Sequence, residues 1–122
     1  VNRVFRGGPM MGPTASSLDI SLTKGTAGVT AFTDAAAERT HSQVYPCIRC
    51  GYCVDACPIF LKPSLRGMLA ANEEFSTMAD EHNLMDCFEC GSCSFVCPSH
   101  IPLVQQFRAS KASVRKAKAG AA

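Results

Sequence analysis

Thiols spaced two residues apart can hold one inorganic group between them, and this chain carries two such runs. The first is Cys47-Ile48-Arg49-Cys50-Gly51-Tyr52-Cys53-Val54-Asp55-Ala56-Cys57-Pro58, and the second is Cys87-Phe88-Glu89-Cys90-Gly91-Ser92-Cys93-Ser94-Phe95-Val96-Cys97-Pro98. Both read C-x2-C-x2-C-x3-C-P. At this spacing three thiolates wrap three corners of one [4Fe–4S] cubane, while the fourth ligates the neighbouring cubane. One cluster is therefore expected on Cys47, Cys50, Cys53 and Cys97, and a second on Cys87, Cys90, Cys93 and Cys57. No catalytic side chain is expected; the chemistry is electron carriage.

Two other uses of the cysteines compete with this one. Four disulfides would suit a secreted scaffold, but a secretory signal is not expected here, and neighbours two residues apart pair poorly under disulfide geometry. Zinc is the stronger rival, because CxxC pairs also form knuckles. A zinc site takes two ligands from each of two knuckles, so the third and fourth cysteines of each run would be surplus. A zinc-stabilised interaction module remains the alternative from another class. His41, His82 and His100 are not expected as ligands, since eight cysteines complete two cubanes.

Length and composition bound the setting. A chain of 122 residues, without tryptophan and with 7% aromatics, has little apolar surface to bury. Its clusters are expected to serve as the centre of the core, with folding coupled to metal loading. The formal charge of +2 falls to about −2 once thiolates and oxidised cubane cores are counted, and no basic-aromatic interleaving is present, so no nucleic-acid partner is expected. No stretch reaches the ~20 apolar residues of a membrane span. Thiolate ligands call for a reducing compartment, hence a cytoplasmic location.

The elements around the runs follow from local pattern. Residues 1–6 alternate as a strand, Gly7-Gly8-Pro9-Met10-Met11-Gly12-Pro13 reads as a turn-rich loop with methionines packed inward, and Leu18–Leu22 and Gly28–Phe32 read as further short strands. The loop lacks a following lysine and Pro9 deletes an amide donor, so it is not expected to bind phosphate. Asp34–Arg39 is expected to be a short helix or linker. Between the runs, Ser64 is expected to cap a helix carrying Leu65, Met68, Leu69, Asn72, Phe75 and Ala79 on one face. After the second run, Pro102 opens a helix with Leu103, Val104, Phe107 and Val114 as an apolar stripe. Arg108, Lys111, Arg115, Lys116 and Lys118 form a basic tail, expected to complement a helix C-terminus.

The expected architecture is mainly α: a helical ferredoxin-type domain with two [4Fe–4S] clusters, preceded by a short β remnant. Its parts are a β region at 1–34, a linker at 35–46, the cluster domain at 47–107 and the basic tail at 108–122. Gly51 and Gly91 are expected to adopt positive φ beside the clusters, and Pro58 and Pro98 to turn the chain away. Ile48, Val54, Ile59, Phe88, Phe95, Val96 and Ile101 are expected to form a dry jacket. Arg49 and Glu89 occupy equivalent positions with opposite charge and are expected to be solvated surface charges, with the alternative that Arg49 raises the potential of the first cluster and Glu89 lowers that of the second.

The segment Arg6-Gly7-Gly8-Pro9-Met10-Met11-Gly12, then Lys24–Val29, then Pro46–Gly51 resembles RnfC, the peripheral subunit of the Rnf ion-translocating ferredoxin:NAD oxidoreductase. Glu81-His82-Asn83-Leu84 and Cys97-Pro98-Ser99-His100-Ile101-Pro102-Leu103-Val104-Gln105 continue the match. The resemblance implies an upstream flavin- and NADH-binding domain followed by a β-grasp (SLBB) domain, of which residues 1–34 would be the end. FMN and NADH are then expected only on that upstream part or on a partner chain, because no nucleotide fingerprint occurs here. It further implies membrane-embedded Rnf subunits and another iron–sulfur subunit as partners, at the cytoplasmic face of the bacterial inner membrane. The function expected is electron transfer in a membrane-associated NADH/ferredoxin oxidoreductase, with an RnfC-like flavoprotein such as a cobalamin reductase as the alternative.

Overall fold

The computed structural model describes residues 3–33 and 43–120, and the chain divides into two compact units, Val1–Gln43 and Val44–Ala122. In the first, β1 (Arg3–Arg6) pairs antiparallel with β2 (Val29–Phe32), in the register Arg3 to Phe32 and Arg6 to Val29. Phe5 and Phe32 meet edge to face with ring centroids 5.6 Å apart, a favoured aromatic geometry. The loop after β1 folds back on itself. Arg6 donates its amide to the Pro13 carbonyl at 3.0 Å, and Gly12 donates to Gly8 at 2.7 Å. A Cβ on Gly12 would lie 2.6 Å from the Gly8 oxygen, so this closure requires glycine.

Two expectations for this unit need correction. Leu18–Leu22 forms no strand: Leu18 is 82% and Leu22 65% exposed, in turn and irregular backbone. Alternation alone does not make a strand when its amides find no ladder partner. Met10 and Met11 are also exposed rather than packed inward. The helix expected at Asp34–Arg39 lies outside the described residues.

The second unit is helical: α1 (Tyr52–Asp55), α2 (Pro63–Ala71), α3 (Phe75–Asp80), a 3₁₀ turn (Leu84–Asp86), α4 (Ser92–Phe95) and α5 (Leu103–Gly120). The mainly helical architecture with a small two-stranded sheet is thus as expected. The single helix expected between the runs is instead two. Glu73 takes a left-handed φ of 59° between α2 and α3, which breaks the 3.6-residue phase. Met78, outside the expected stripe, is consequently fully buried, whereas Met68 is exposed. Ser64 does not cap α2. Pro63 occupies the first turn and Lys62 the cap position, so Ser64 falls inside the helix.

Helix α5 holds the unit together. Leu103, Val104, Phe107 and Val114, the expected stripe, are all buried and pack with Met78, Leu84, Cys53 and Cys93. Each large apolar side chain so buried contributes about 1.5–3 kcal/mol. The Ser94 hydroxyl accepts the Val104 amide at 3.0 Å, satisfying a donor in the first turn of α5 that the helix itself cannot. Gly67 of α2 sits so close to α5 that a Cβ there would meet Leu103 Cδ2 at 2.6 Å.

Candidate metal centre

The sequence repeat is also a backbone repeat. Gly51 and Gly91 precede α1 and α4 with φ of 85° and 87°, as expected of glycine at these turns. Arg49 and Glu89 adopt left-handed φ of 56° and 62°, and Phe60 and His100 adopt 54° and 53°. The closing turns match as well: Phe60 donates to the Cys57 carbonyl and His100 to that of Cys97, both at 3.1 Å. Each run therefore traces the same path: two left-handed residues, one short helical turn and a third left-handed residue after the proline.

Two cavities accompany these turns. One, of about 300 Å³, is lined by Cys47, Cys50, Cys53 and Cys97. The other, of about 20 Å³, is lined by Cys57, Cys87, Cys90 and Cys93. Each thus gathers three cysteines of one run and the last cysteine of the other. A hydrogen-bonded clamp accounts for part of this exchange. Buried Ser99, just past Cys97, donates its hydroxyl to the Pro46 carbonyl at 2.9 Å, and its own carbonyl accepts the Tyr45 amide at 2.9 Å. Short helices α1 and α4 lie against each other and carry Cys53 and Cys93 into the core edge.

The residues fit a positively charged, multi-atom core held by thiolates. Among the described residues no three His, Cys, Asp or Glu side chains converge closely enough to hold a single ion, whereas four thiols surround each cavity. The Leu61 amide donates to Cys57 Sγ at 3.4 Å, the kind of contact that stabilises charge on sulfur. Burial pushes the Cys53 thiol up, with a Ser64 hydrogen bond opposing, and pushes the Cys93 thiol up to about 11. Both thiols are therefore protonated at neutral pH unless positive charge in the cavity compensates. The second cavity is narrow, with room for little more than a water.

Arg66 lies outside the set of expected site residues. It is 1% exposed on α2 and lines the second cavity. Its Nε donates to the His82 carbonyl at 2.8 Å and its Nη2 to that of Asn83 at 3.0 Å. Nη1 is buried without a hydrogen-bond partner among the described residues. Desolvation draws its pKa down, and negative charge at Cys87 and Cys57 opposes this. A lone charged residue within α2 is the signal that could have found it.

Glu89 also differs from expectation. Its Oε2 pairs with Arg108 Nε at 2.7 Å and its Oε1 with Lys111 Nζ at 3.0 Å. Lys111, 5% exposed, also donates to the Cys87 carbonyl. Burial alone would raise the Glu89 pKa, but these two cations hold it below the usual carboxylate value. Its charge is compensated, so Glu89 is not the isolated anion that its position in the run suggests. The jacket is likewise partial. Ile48 lines the first cavity and Ile59 and Phe88 the second, but all three remain exposed at their outer sides, and Phe95 is 76% exposed.

Similarity to known proteins agrees with this geometry. Residues 46–102 match a family described as "4Fe-4S dicluster domain". The chain is 47% identical over 112 residues to the ion-translocating oxidoreductase complex subunit designated C of Yersinia enterocolitica, covering 92% of this chain and 16% of that protein. It is 38% identical over 105 residues to the protein of the same name from Buchnera aphidicola, covering 85% and 22%. The correspondingly designated subunit of the proton-translocating ferredoxin:NAD(+) oxidoreductase complex of Clostridium ljungdahlii is 39% identical over 84 residues, covering 69% and 18%. The chain thus spans about a fifth of the length of these curated relatives, and the resemblance carried by its motifs is borne out.

Proposed function

Since this chain is a homologue of RnfC, a component of ion-translocating oxidoreductase complexes, we propose that residues 44–120 form an electron-transfer module for two [4Fe–4S] clusters. Cys47, Cys50, Cys53 and Cys97 hold one, and Cys87, Cys90, Cys93 and Cys57 hold the other. When bound, such clusters carry single electrons and need no bond-making side chain. The chain's own residues do the rest. Crossed fourth ligands bring the two sites together, Leu61 and Ser64 donate hydrogen bonds toward sulfur, and the α5 face excludes water behind Cys53 and Cys93. The observation that carries the reading is the pair of cavities, each lined by three cysteines of one run and one of the other.

In this reading electrons pass between a flavin- and NADH-binding region outside this chain and membrane-embedded subunits, at the cytoplasmic face. Residues 3–33 belong to the edge of an SLBB-like β domain. Among the described residues no helix is long and apolar enough to cross a membrane, so attachment would run through partners. The test is anaerobic reduction of the intact subunit by NADH, followed by EPR. Two reduced cluster signals are expected. Flavin reduction with no iron–sulfur signal would contradict the proposal.

A further inference from the structure

The two cavities differ in charge. The first is bordered by one ionic side chain, exposed Arg49. The second is bordered by Arg66 and Glu89, and Glu89 is compensated by Arg108 and Lys111. That ion-paired group carries a net charge of +1, and beside it lies a buried guanidinium hydrogen-bonded to no carboxylate among the described residues. Holding it there costs desolvation, and two backbone carbonyls from the His82–Asn83 turn satisfy only part of its donor set. A cation buried this completely with an unpartnered Nη1 calls for an anion, and the negative charges that act on it are, from the largest effect down, those of Cys87, Cys57, Asp86 and Cys93.

We propose that Arg66 is a potential-setting residue: its fixed charge raises the reduction potential of a cluster held by Cys57, Cys87, Cys90 and Cys93 above that of its neighbour. The proposal rests on the two-cluster reading and assigns the order of its sites. A positive charge in a poorly screened interior stabilises the more negative, reduced state of whatever lies beside it. Exposed Arg49 is screened by solvent and exerts less of the same effect. An electron shared between the two sites therefore resides at the second. This reverses the order expected from the opposite charges of Arg49 and Glu89 alone.

The experiment is an EPR-monitored redox titration of the intact, cluster-loaded subunit and its Arg66→Met and Arg66→Lys variants. Methionine removes the charge while retaining an apolar stem of similar reach. The result expected is a fall in the higher of two midpoints in Arg66→Met, the lower midpoint unchanged, and recovery of most of the fall in Arg66→Lys. Two unchanged midpoints, or an equal shift of both, would overturn the proposal. Should Arg66→Met lose its iron, wild-type protein labelled isotopically at arginine nitrogen carries the test. Hyperfine coupling from a guanidinium nitrogen to the higher-potential reduced cluster supports the proposal, and its absence overturns it. Iron and sulfide counts on the same wild-type sample separate failure of this inference from failure of the two-cluster reading.

Discussion

The Ser99 hydroxyl reaches across the repeat to the carbonyl of Pro46 at 2.9 Å, tying the residue two past the last cysteine to the residue just before the first. Ser99 is buried, and the Tyr45 amide returns to its carbonyl. The pair of bonds holds Cys97 at the rim of the cavity formed by the first run, which is what a crossed fourth ligand requires.

Replacing this serine tests the clamp. Ser99→Ala leaves the Pro46 carbonyl without its donor, which costs about 1–3 kcal/mol. Faster loss of visible iron–sulfur absorbance in a chelator is expected, with the first site lost before the second. Equal loss from both sites would show that the clamp does not position Cys97.

Ligand exchange between the runs makes a separable prediction. Cys97→Ser is expected to perturb the same EPR signal as Cys47→Ser, although Cys97 lies in the other run. Cys57→Ser is expected to perturb the signal altered by Cys87→Ser. Loss of one site lowers iron by about four per chain. If Cys97→Ser and Cys87→Ser affected one common signal, the crossed assignment would be wrong.

Glu89 supplies an acid-sensitive link between the second run and α5. Its pKa is depressed in the folded state relative to 4.5, so the stabilisation is present above pH 4.5 and is lost as pH falls through the lower folded value. Wild type is expected to exceed Glu89→Gln in unfolding free energy by about 1–2 kcal/mol at neutral pH, a figure moderated by the partial exposure of Arg108. The gap should close at low pH. Denaturant unfolding of both proteins across that range checks this, and a pH-independent difference would assign the effect to packing.

The gathering of the cysteines around two cavities was legible in the spacing of Cys47 to Cys57 and Cys87 to Cys97, because ligand geometry constrains neighbours along the chain. The α5 stripe was legible for the same reason: Leu103, Val104, Phe107 and Val114 share one helix phase. What escaped were interactions between distant segments. Nothing local in Arg66 says that His82 and Asn83 will offer it carbonyls, or in Lys111 that Glu89 and Cys87 will sit beneath it. The break at Glu73 also escaped, since a left-handed glutamate is a tertiary outcome rather than a propensity, and it shifted burial to Met78. Leu18–Leu22 misled because period-two alternation reports a face only when a neighbouring strand exists.

The most direct test of the account is elemental: iron, acid-labile sulfide and zinc counted on the intact subunit purified without oxygen. Iron and sulfide of about eight each, attributable to residues 47–97 by their loss on substituting the eight cysteines, is the predicted result. Stoichiometric zinc without sulfide, in a colourless and folded protein, would contradict it.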